Sequence, residues 1–394
     1  MDNSLPCQWR KGKAGCRKLS GRVTFSGILG MDLQLPPNPR VLFLRMSALG
    51  DLVFALPALQ ALRHHLPQAR IEWLVEDRCA GLLQSHPGPD ELLIYPRGQW
   101  KQAQGFRGRR RALATLLDHL LQLRGRPPYD LILDFQGNAK SALHLLFARG
   151  RHSFGFDKPA AREGAQRFVA HRIADPGRVH RTERDLSLVR ALGYQGPAPP
   201  PVAWELDRQA KREVDLRLGH FLSTPEAARE DGPLVLLHTE VTDYGRDKAW
   251  PPSRWLQISR ALVQACGARV LLLWTPADRS QVLAKVEASE GCCGLAPPTP
   301  TLDHLMAVTD RASLVLGTDS GPVHLAAHRG SPVLALFGPT DPERYAPYGP
   351  RVRCLYALAD GQEPPPRDRS GPSPLMAEIS VEEVLNAALE ILAE

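Results

Sequence analysis

Four apolar runs in the first half of the chain, RVLFL at 40–44, IEWLVE at 71–76, ELLIYP at 91–96 and DLILDFQG at 130–137, all lead into polar or turn-forming residues. Such runs fit strands buried on both faces, which is the condition of a parallel sheet covered by helices. Parallel neighbours need a crossover, and LVFALPALQALRHHLP after the first run supplies an amphipathic one. The scheme returns in the second half with PLVLLHTE at 233–240, ARVLLLW at 268–274, ASLVLGTD at 312–319 and PVLALFG at 332–338. Two α/β units with ligands at the C-terminal strand edges are expected.

Boundaries follow from the stretches that break this rhythm. Residues 1–38 show neither periodicity and close with the turn-rich LPPNP, so they are expected to form a disordered or misassigned leader, with Met31 a possible start. The Pro-rich YQGPAPPPVAWELD separates a first unit, 39–198, from a second, 199–374. Residues 375–394 are expected to form a helix capped by Ser380 that packs back on the first unit. The basic segment beginning KQAQGFRGRRR is expected to be a loop leading into an amphipathic helix.

Charge divides the chain as well. Residues 1–200 carry 30 Lys and Arg against 16 Asp and Glu, a net +14, whereas residues 201–394 carry a net −7. A basic first half suits an anionic partner: a phosphorylated substrate, an anionic membrane or nucleic acid. Nucleic acid is the weakest of these, because no aromatics interleave the basic tracts and no zinc knuckle is present. The seven cysteines show no metal spacing, no His, Cys and carboxylate cluster stands out, and a reducing compartment without structural disulfides is expected. No apolar run reaches the roughly 18–20 residues needed to cross a bilayer.

The turn GTDSGPVHLAAHRGSP at 317–332 joins a strand to a helix. Pro322 suits a first helical turn, Ser320 or Asp319 can cap it, and Gly317 and Gly321 permit close backbone approach. Free N–H groups and the positive end of the helix dipole favour a phosphate there, although an ordinary capped turn has the same composition. Similar turns occur at SALGD (Ser47 to Asp51) and DFQGNAKS (Asp134 to Ser141). Lys248, in TDYGRDKAWP, is placed to neutralise a leaving diphosphate or is a surface lysine.

The motifs VLFLRMSALGDLVFALPAL, DFQGNAKSA, DKAWPPSRW and GTDSGPVHLAAHRGSPVLALFGPTDP together resemble glycosyltransferase family 9, the lipopolysaccharide heptosyltransferases, from about Arg40 to the C-terminus. Within the family, GFDKPAAREG and HRTERDLSLVRALGY are most like the heptosyltransferase I branch. The resemblance implies a GT-B fold of two Rossmann-like domains facing a cleft, acting without metal or cofactor and inverting the anomeric centre. It implies an ADP-heptose donor on the second domain, a Kdo-lipid A acceptor on the first, and a cytoplasmic enzyme peripheral to the inner membrane.

Carried over residue by residue, Asp51 matches the catalytic base, an assignment that competes with simple capping of the following helix. Lys248 matches the lysine beside the donor phosphates, and Thr318, Asp319, Ser320, Gly321 and His324 match the donor loop and helix start. Thr239 and Thr242 are further donor candidates on a loop longer than that of the branch. Ser47, Gly50, Gln136, Lys140, Arg162, Arg181 and Arg184 are candidates for the anionic acceptor. Arg107, Arg109, Arg110 and Arg111 either rest on anionic lipid or are solvated. Phe54 stands where the family often has His, and TPADRSQ lacks the acidic run that often marks the nucleoside-binding helix. These departures leave room for another nucleotide sugar or a later core acceptor.

Overall fold

The computed structural model describes residues 18–19, 22–26, 32–98, 105–222, 232–359 and 362–394. Two six-stranded parallel sheets organise the chain. The first contains β4 (Arg40–Leu44), β5 (Arg70–Glu76), β6 (Glu91–Tyr95), β7 (Tyr129–Asp134), β8 (Gly150–Phe156) and β9 (His171–Ile173), in the order β6-β5-β4-β7-β8-β9. The second contains β10 (Leu234–His238), β11 (Arg269–Leu272), β12 (Gly294–Leu295), β13 (Leu314–Thr318), β14 (Val333–Phe337) and β15 (Val352–Tyr356), in the order β12-β11-β10-β13-β14-β15. Both follow the doubly wound order, whose switch point falls beside the first strand: between β4 and β7, and between β10 and β13. The loops that leave these strands include the SALGD, TDYGRDK and GTDSG segments.

Apolar side chains on both faces of these strands explain their continuous hydrophobic runs. Val41 and Phe43 belong to one core with helix Leu49–His65, while Leu42 and Leu44 belong to another with helix Gly105–Gly125. The two halves meet where helix Leu49–His65 packs against helix Gly321–Arg329. Glycine permits this approach: a Cβ at Gly321 would lie 3.1 Å from the Leu49 side chain, and one at Gly50 would lie 3.0 Å from His324 Cδ2.

Three expectations are corrected. Within the 1–38 leader, β1 (Lys18–Leu19), β2 (Arg22–Ser26) and β3 (Asp32–Leu35) form a small antiparallel sheet; RVTFS carries the β-branched and aromatic residues that favour strands. Its remaining residues up to 31 lie outside the described set. The C-terminal helix, Val381–Ala393, packs on the second half, where Val384, Ala387 and Ala388 share a core with Trp250 and Trp255. Its start is pinned there because Trp250 Nε1 donates to the Ile379 carbonyl at 3.0 Å. Ser380 does cap it, accepting from Glu383 N at 3.2 Å. Finally, the arginines of 107–111 lie within a helix rather than a loop, since helix Gly105–Gly125 begins before them and is held by buried Ala112, Leu116, Leu120 and Leu123.

Candidate active site

Asp51 lies in the first turn of helix Leu49–His65, directly after β4. Its Oδ2 accepts from Ala48 N at 3.3 Å, so it closes the helix start as a cap would. Its Oδ1 faces Arg45 Nη2 at 2.8 Å and Arg181 Nη2 at 3.5 Å. Burial pushes the carboxyl pKa up, but Arg45 and Arg181, with the Ala48 N–H and His324, outweigh it and hold the group below its ordinary value. The side chain nevertheless keeps 35% exposure, enough for an incoming hydroxyl to reach it.

Arg45 is a residue that the sequence reading missed. It is 2% exposed and also donates to the Phe135 carbonyl. The available signal was a cation directly after an apolar strand, since a buried arginine requires an anion nearby.

Beneath this loop lie several of the expected acceptor residues. Gln136 Oε1 accepts from Met46 N at 3.0 Å and Ser47 N at 3.3 Å. Lys140 donates to Ser47 Oγ at 3.0 Å and pairs with buried Glu76. Gln136 and Lys140 therefore brace the backbone that carries Asp51. Arg184 is buried, its guanidinium 4.2 Å from the Phe156 ring centre and its Nη2 3.4 Å from the Ala160 carbonyl. Arg162 is exposed, tied by its backbone N–H to the Gly137 carbonyl at 2.8 Å.

Across the interface, Asp319 gathers the second half of the site. Its Oδ1 is 2.8 Å from His324 Nε2, and its Oδ2 is 3.3 Å from Lys248 Nζ. A carboxylate only accepts, so His324 carries a proton on Nε2. Burial pushes the Asp319 carboxyl up, but Lys248 and His324 reverse this and hold it far below the ordinary range. Lys248 ends the 3-10 turn Asp243–Lys248, whose buried Asp247 is clamped by Arg367 at 2.6 and 2.7 Å.

Ser320 occupies the N-cap position of helix Gly321–Arg329 but makes no side-chain cap, contrary to expectation. Its hydroxyl instead meets His238 Nδ1 at 3.1 Å. Burial depresses the His238 pKa to about 4, so that ring is neutral near pH 7. The helix start thus keeps N–H donors that no side chain has taken up. Thr318 Oγ1 is buried without a hydrogen-bond partner among the described residues. Thr239 faces Glu240 and Lys285, at 3.0 and 3.2 Å, and Thr242 is an exposed residue preceding the 3-10 turn.

Phe54 joins the two halves. Its ring centre lies 4.7 Å from that of His324 and 5.4 Å from that of His180, which in turn bonds the Ala346 carbonyl at 2.8 Å. The structure therefore brings Asp51, Arg181, His324, Asp319 and Lys248 to one interface between facing helix starts. Among the described residues there is no group of three His, Cys, Asp or Glu side chains arranged to hold a metal ion.

The sequence profile of glycosyltransferase family 9 (heptosyltransferase) matches residues 119–370. The chain belongs to glycosyltransferase family 9. Lipopolysaccharide heptosyltransferase 1 of Salmonella typhimurium is 29% identical over 315 residues, covering 79% of this chain and 92% of that protein. The Pseudomonas aeruginosa protein of the same name is 29% identical over 315 residues, covering 79% and 81%. Among solved structures, a family 9 glycosyltransferase from Veillonella parvula superposes with a TM-score of 0.72 at 18% identity, covering 90% of this chain and 97% of that one. Escherichia coli heptosyltransferase WaaC with ADP gives 0.67 at 24% identity, covering 89% and 99%. These likenesses establish the GT-B fold for this family 9 enzyme, and the chain is a glycosyltransferase.

Proposed function

We propose that this glycosyltransferase moves L-glycero-D-manno-heptose, with inversion and without a metal, from ADP-heptose to Kdo-lipid A in the assembly of the lipopolysaccharide core. The observation that carries the reading is the meeting of Asp51 with the Lys248–Asp319–His324 cluster at two facing helix starts. Residues 39–198 take the acceptor and residues 199–374 the nucleotide sugar, in keeping with the basic first half.

In the reaction an acceptor hydroxyl gives its proton to the Asp51 carboxylate while its oxygen bonds the anomeric carbon. The bond from that carbon to the diphosphate breaks, and its electron pair leaves with ADP. Lys248 and the uncapped N–H groups of helix Gly321–Arg329 meet the charge that develops on the leaving oxygen. Arg45 and Arg181 keep Asp51 ionised before the acceptor arrives. Anionic groups on the acceptor compete for Arg181, which strengthens Asp51 as a base at the moment it is needed. Thr239, Thr242, Thr318, Ser320 and Gly321 are proposed to line the donor side, and Ser47, Gly50, Gln136, Lys140, Arg162 and Arg184 the acceptor side.

Relatives named lipopolysaccharide heptosyltransferase 1 from Salmonella typhimurium, Escherichia coli and Pseudomonas aeruginosa match at 29%, and the one from Campylobacter coli at 25%. Relatives named heptosyltransferase 2 and 3 match at 25%, so the higher identities lie on the side of the first heptose. Family membership disfavours the nucleic-acid reading. A lipid-linked acceptor places the enzyme on the cytoplasmic face of the inner membrane; among the described residues no helix is long and apolar enough to cross it.

The test is transfer from ADP-heptose to heptose-free Kdo-lipid A, read by mass spectrometry, with Asp51→Ala alongside. One added heptose that vanishes in the variant supports the reading. No product, together with stronger thermal stabilisation by UDP or GDP than by ADP, assigns a different donor.

A further inference from the structure

Helix Gly105–Gly125 has two apolar faces, and the sheet covers one. Ala112, Leu116, Leu120 and Leu123 are buried, the three leucines in a core with Leu42, Leu44 and Leu74. Phe106 remains 76% exposed, Leu113 49%, Leu117 47% and Leu121 61%. At 3.6 residues per turn these four side chains fall in a sector about 80° wide. They are four of the ten large hydrophobic side chains exposed among the described residues, so the exposure is concentrated on one helix.

The same helix carries Arg107, Arg109, Arg110, Arg111 and Arg124 against a single acidic residue, Asp118. Arg110 falls within the apolar sector, its guanidinium 5.8 Å from the Phe106 ring centre, and Arg107 and Arg109 flank that sector. We infer that this helix is a docking surface for an anionic lipid bilayer, lying flat with Phe106, Leu113, Leu117 and Leu121 in the acyl boundary and its arginines among headgroup phosphates. A second copy of the chain would bring one arginine cluster against another, and nucleic acid would leave the leucines unused. Anionic lipid satisfies both features.

Direction supports this surface. The helix is the crossover between parallel strands β6 and β7, so it runs back along the sheet and its arginine-rich start lies at the C-terminal strand edge. Asp51 leaves β4 at that same edge. Docking the helix start therefore brings the acceptor side of the site to the bilayer. The surface is argued from the helix itself; only its purpose rests on the lipid acceptor proposed above.

The full chain is to be sedimented with vesicles of phosphatidylglycerol and phosphatidylethanolamine, and with phosphatidylcholine vesicles, neither containing donor or acceptor. Salt-sensitive partitioning to the anionic vesicles alone is expected. The triple variant Leu113→Gln, Leu117→Gln, Leu121→Gln is expected to lower it about tenfold or more, and Arg107→Gln, Arg109→Gln, Arg110→Gln, Arg111→Gln by a larger factor, about fivefold for each arginine at the surface. Both variants should keep the wild-type melting temperature and the wild-type rate on a deacylated, water-soluble acceptor. Absence of wild-type binding, or equal binding by the leucine variant, overturns the proposal. So does wild-type self-association in sedimentation velocity that the leucine variant abolishes, which would make the stripe a protein interface. Because the vesicles hold no substrate, failure of the transfer assay with binding intact counts against the proposed reaction alone.

Discussion

The fourth strand of each half, β7 and β13, occupies the same place in its sheet and leads into an aspartate, yet the two carboxylates serve different ends. Asp134 is consumed by its own loop: Oδ1 accepts from Gln136 N and Gly137 N, both at 3.0 Å, and Oδ2 from Ser141 Oγ at 2.8 Å. Asp319 instead meets Lys248 and His324, one from a different loop and one from the next helix. Burial pushes the Asp134 pKa up, while the cations around Asp319 more than reverse the same penalty. One topology therefore yields a closed turn in the first half and an open, charged cluster in the second. The first half's working carboxylate lies one strand over, at Asp51.

The strongest way to sharpen this contrast is to separate chemistry from donor binding. Asp51→Asn should lower kcat by about 10²–10⁴-fold, the range of a lost general base, while ADP raises the melting temperature as much as in the wild type. Loss of the ADP response in that variant would break the division between the halves. Lys248→Ala should cost about 10²–10³-fold in kcat/KM, comparable to removal of one preorganised donor to a developing charge, and should also diminish the ADP response. Unchanged ADP stabilisation would remove Lys248 from the donor site.

The aspartate pair itself gives a smaller effect with opposite pH signatures. Asp134→Asn should cost about 1–3 kcal/mol in stability through impaired loop hydrogen bonds, and leave the ADP response intact. Asp319→Asn should weaken the ADP response. Because the folded pKa of Asp319 is depressed, its stabilising contribution is complete above the ordinary carboxylate value of 3.8 and is lost as pH falls below it. The stability deficit of Asp319→Asn should therefore shrink in acid. Asp134 has a raised folded pKa, so protonation relieves the wild type as pH falls, and the deficit of Asp134→Asn should grow. Urea unfolding across that pH range reads both signs, and parallel slopes would break the comparison.

What was legible in the sequence follows the same physics. Seven of the eight strands read from apolar runs lie inside their sheets, and the eighth, β6, is an edge strand whose Ile94 is exposed. The overlooked ones include the edges β9, β12 and β15, which are short or polar, and β8, whose RHSFGF holds arginine, histidine and serine. Asp51, Lys248, Asp319 and His324 could be named because their segments match motifs of the family; the local pattern alone left Asp51 equally a helix cap and His324 a helix surface residue. Arg45 was missed although a cation directly after an apolar strand was a signal, because its role shows only once it folds back onto Asp51. Ser320 misled because its hydroxyl found His238 instead of the helix it precedes. A cap motif specifies a local bond only until a tertiary partner competes for the same oxygen. The destination of the C-terminal helix was likewise set by Trp250 and Arg254 reaching the Ile379 carbonyl, more than 120 residues along the chain.

The smallest expected effect concerns the cage around Asp51, and it tests whether that carboxylate is a base or only a cap. Arg181 Nη2 stands 3.5 Å from Oδ1 and favours the ionised form. Arg181→Gln removes that charge while Arg45 keeps its own contact at 2.8 Å, so the Asp51 pKa rises. A base with a higher pKa loses its active form at a higher pH, and the acidic limb of kcat/KM should move upward from its wild-type position. If Asp51 merely closes the helix, the variant alters KM for the acceptor through the lost positive charge and leaves the limb where it was. A control at Arg162→Gln, an exposed arginine of the acceptor half, should change KM without moving the limb in either case. The two outcomes differ in the shape of a pH profile and not in the size of a rate, which keeps them distinct even though both variants weaken an anionic acceptor's hold.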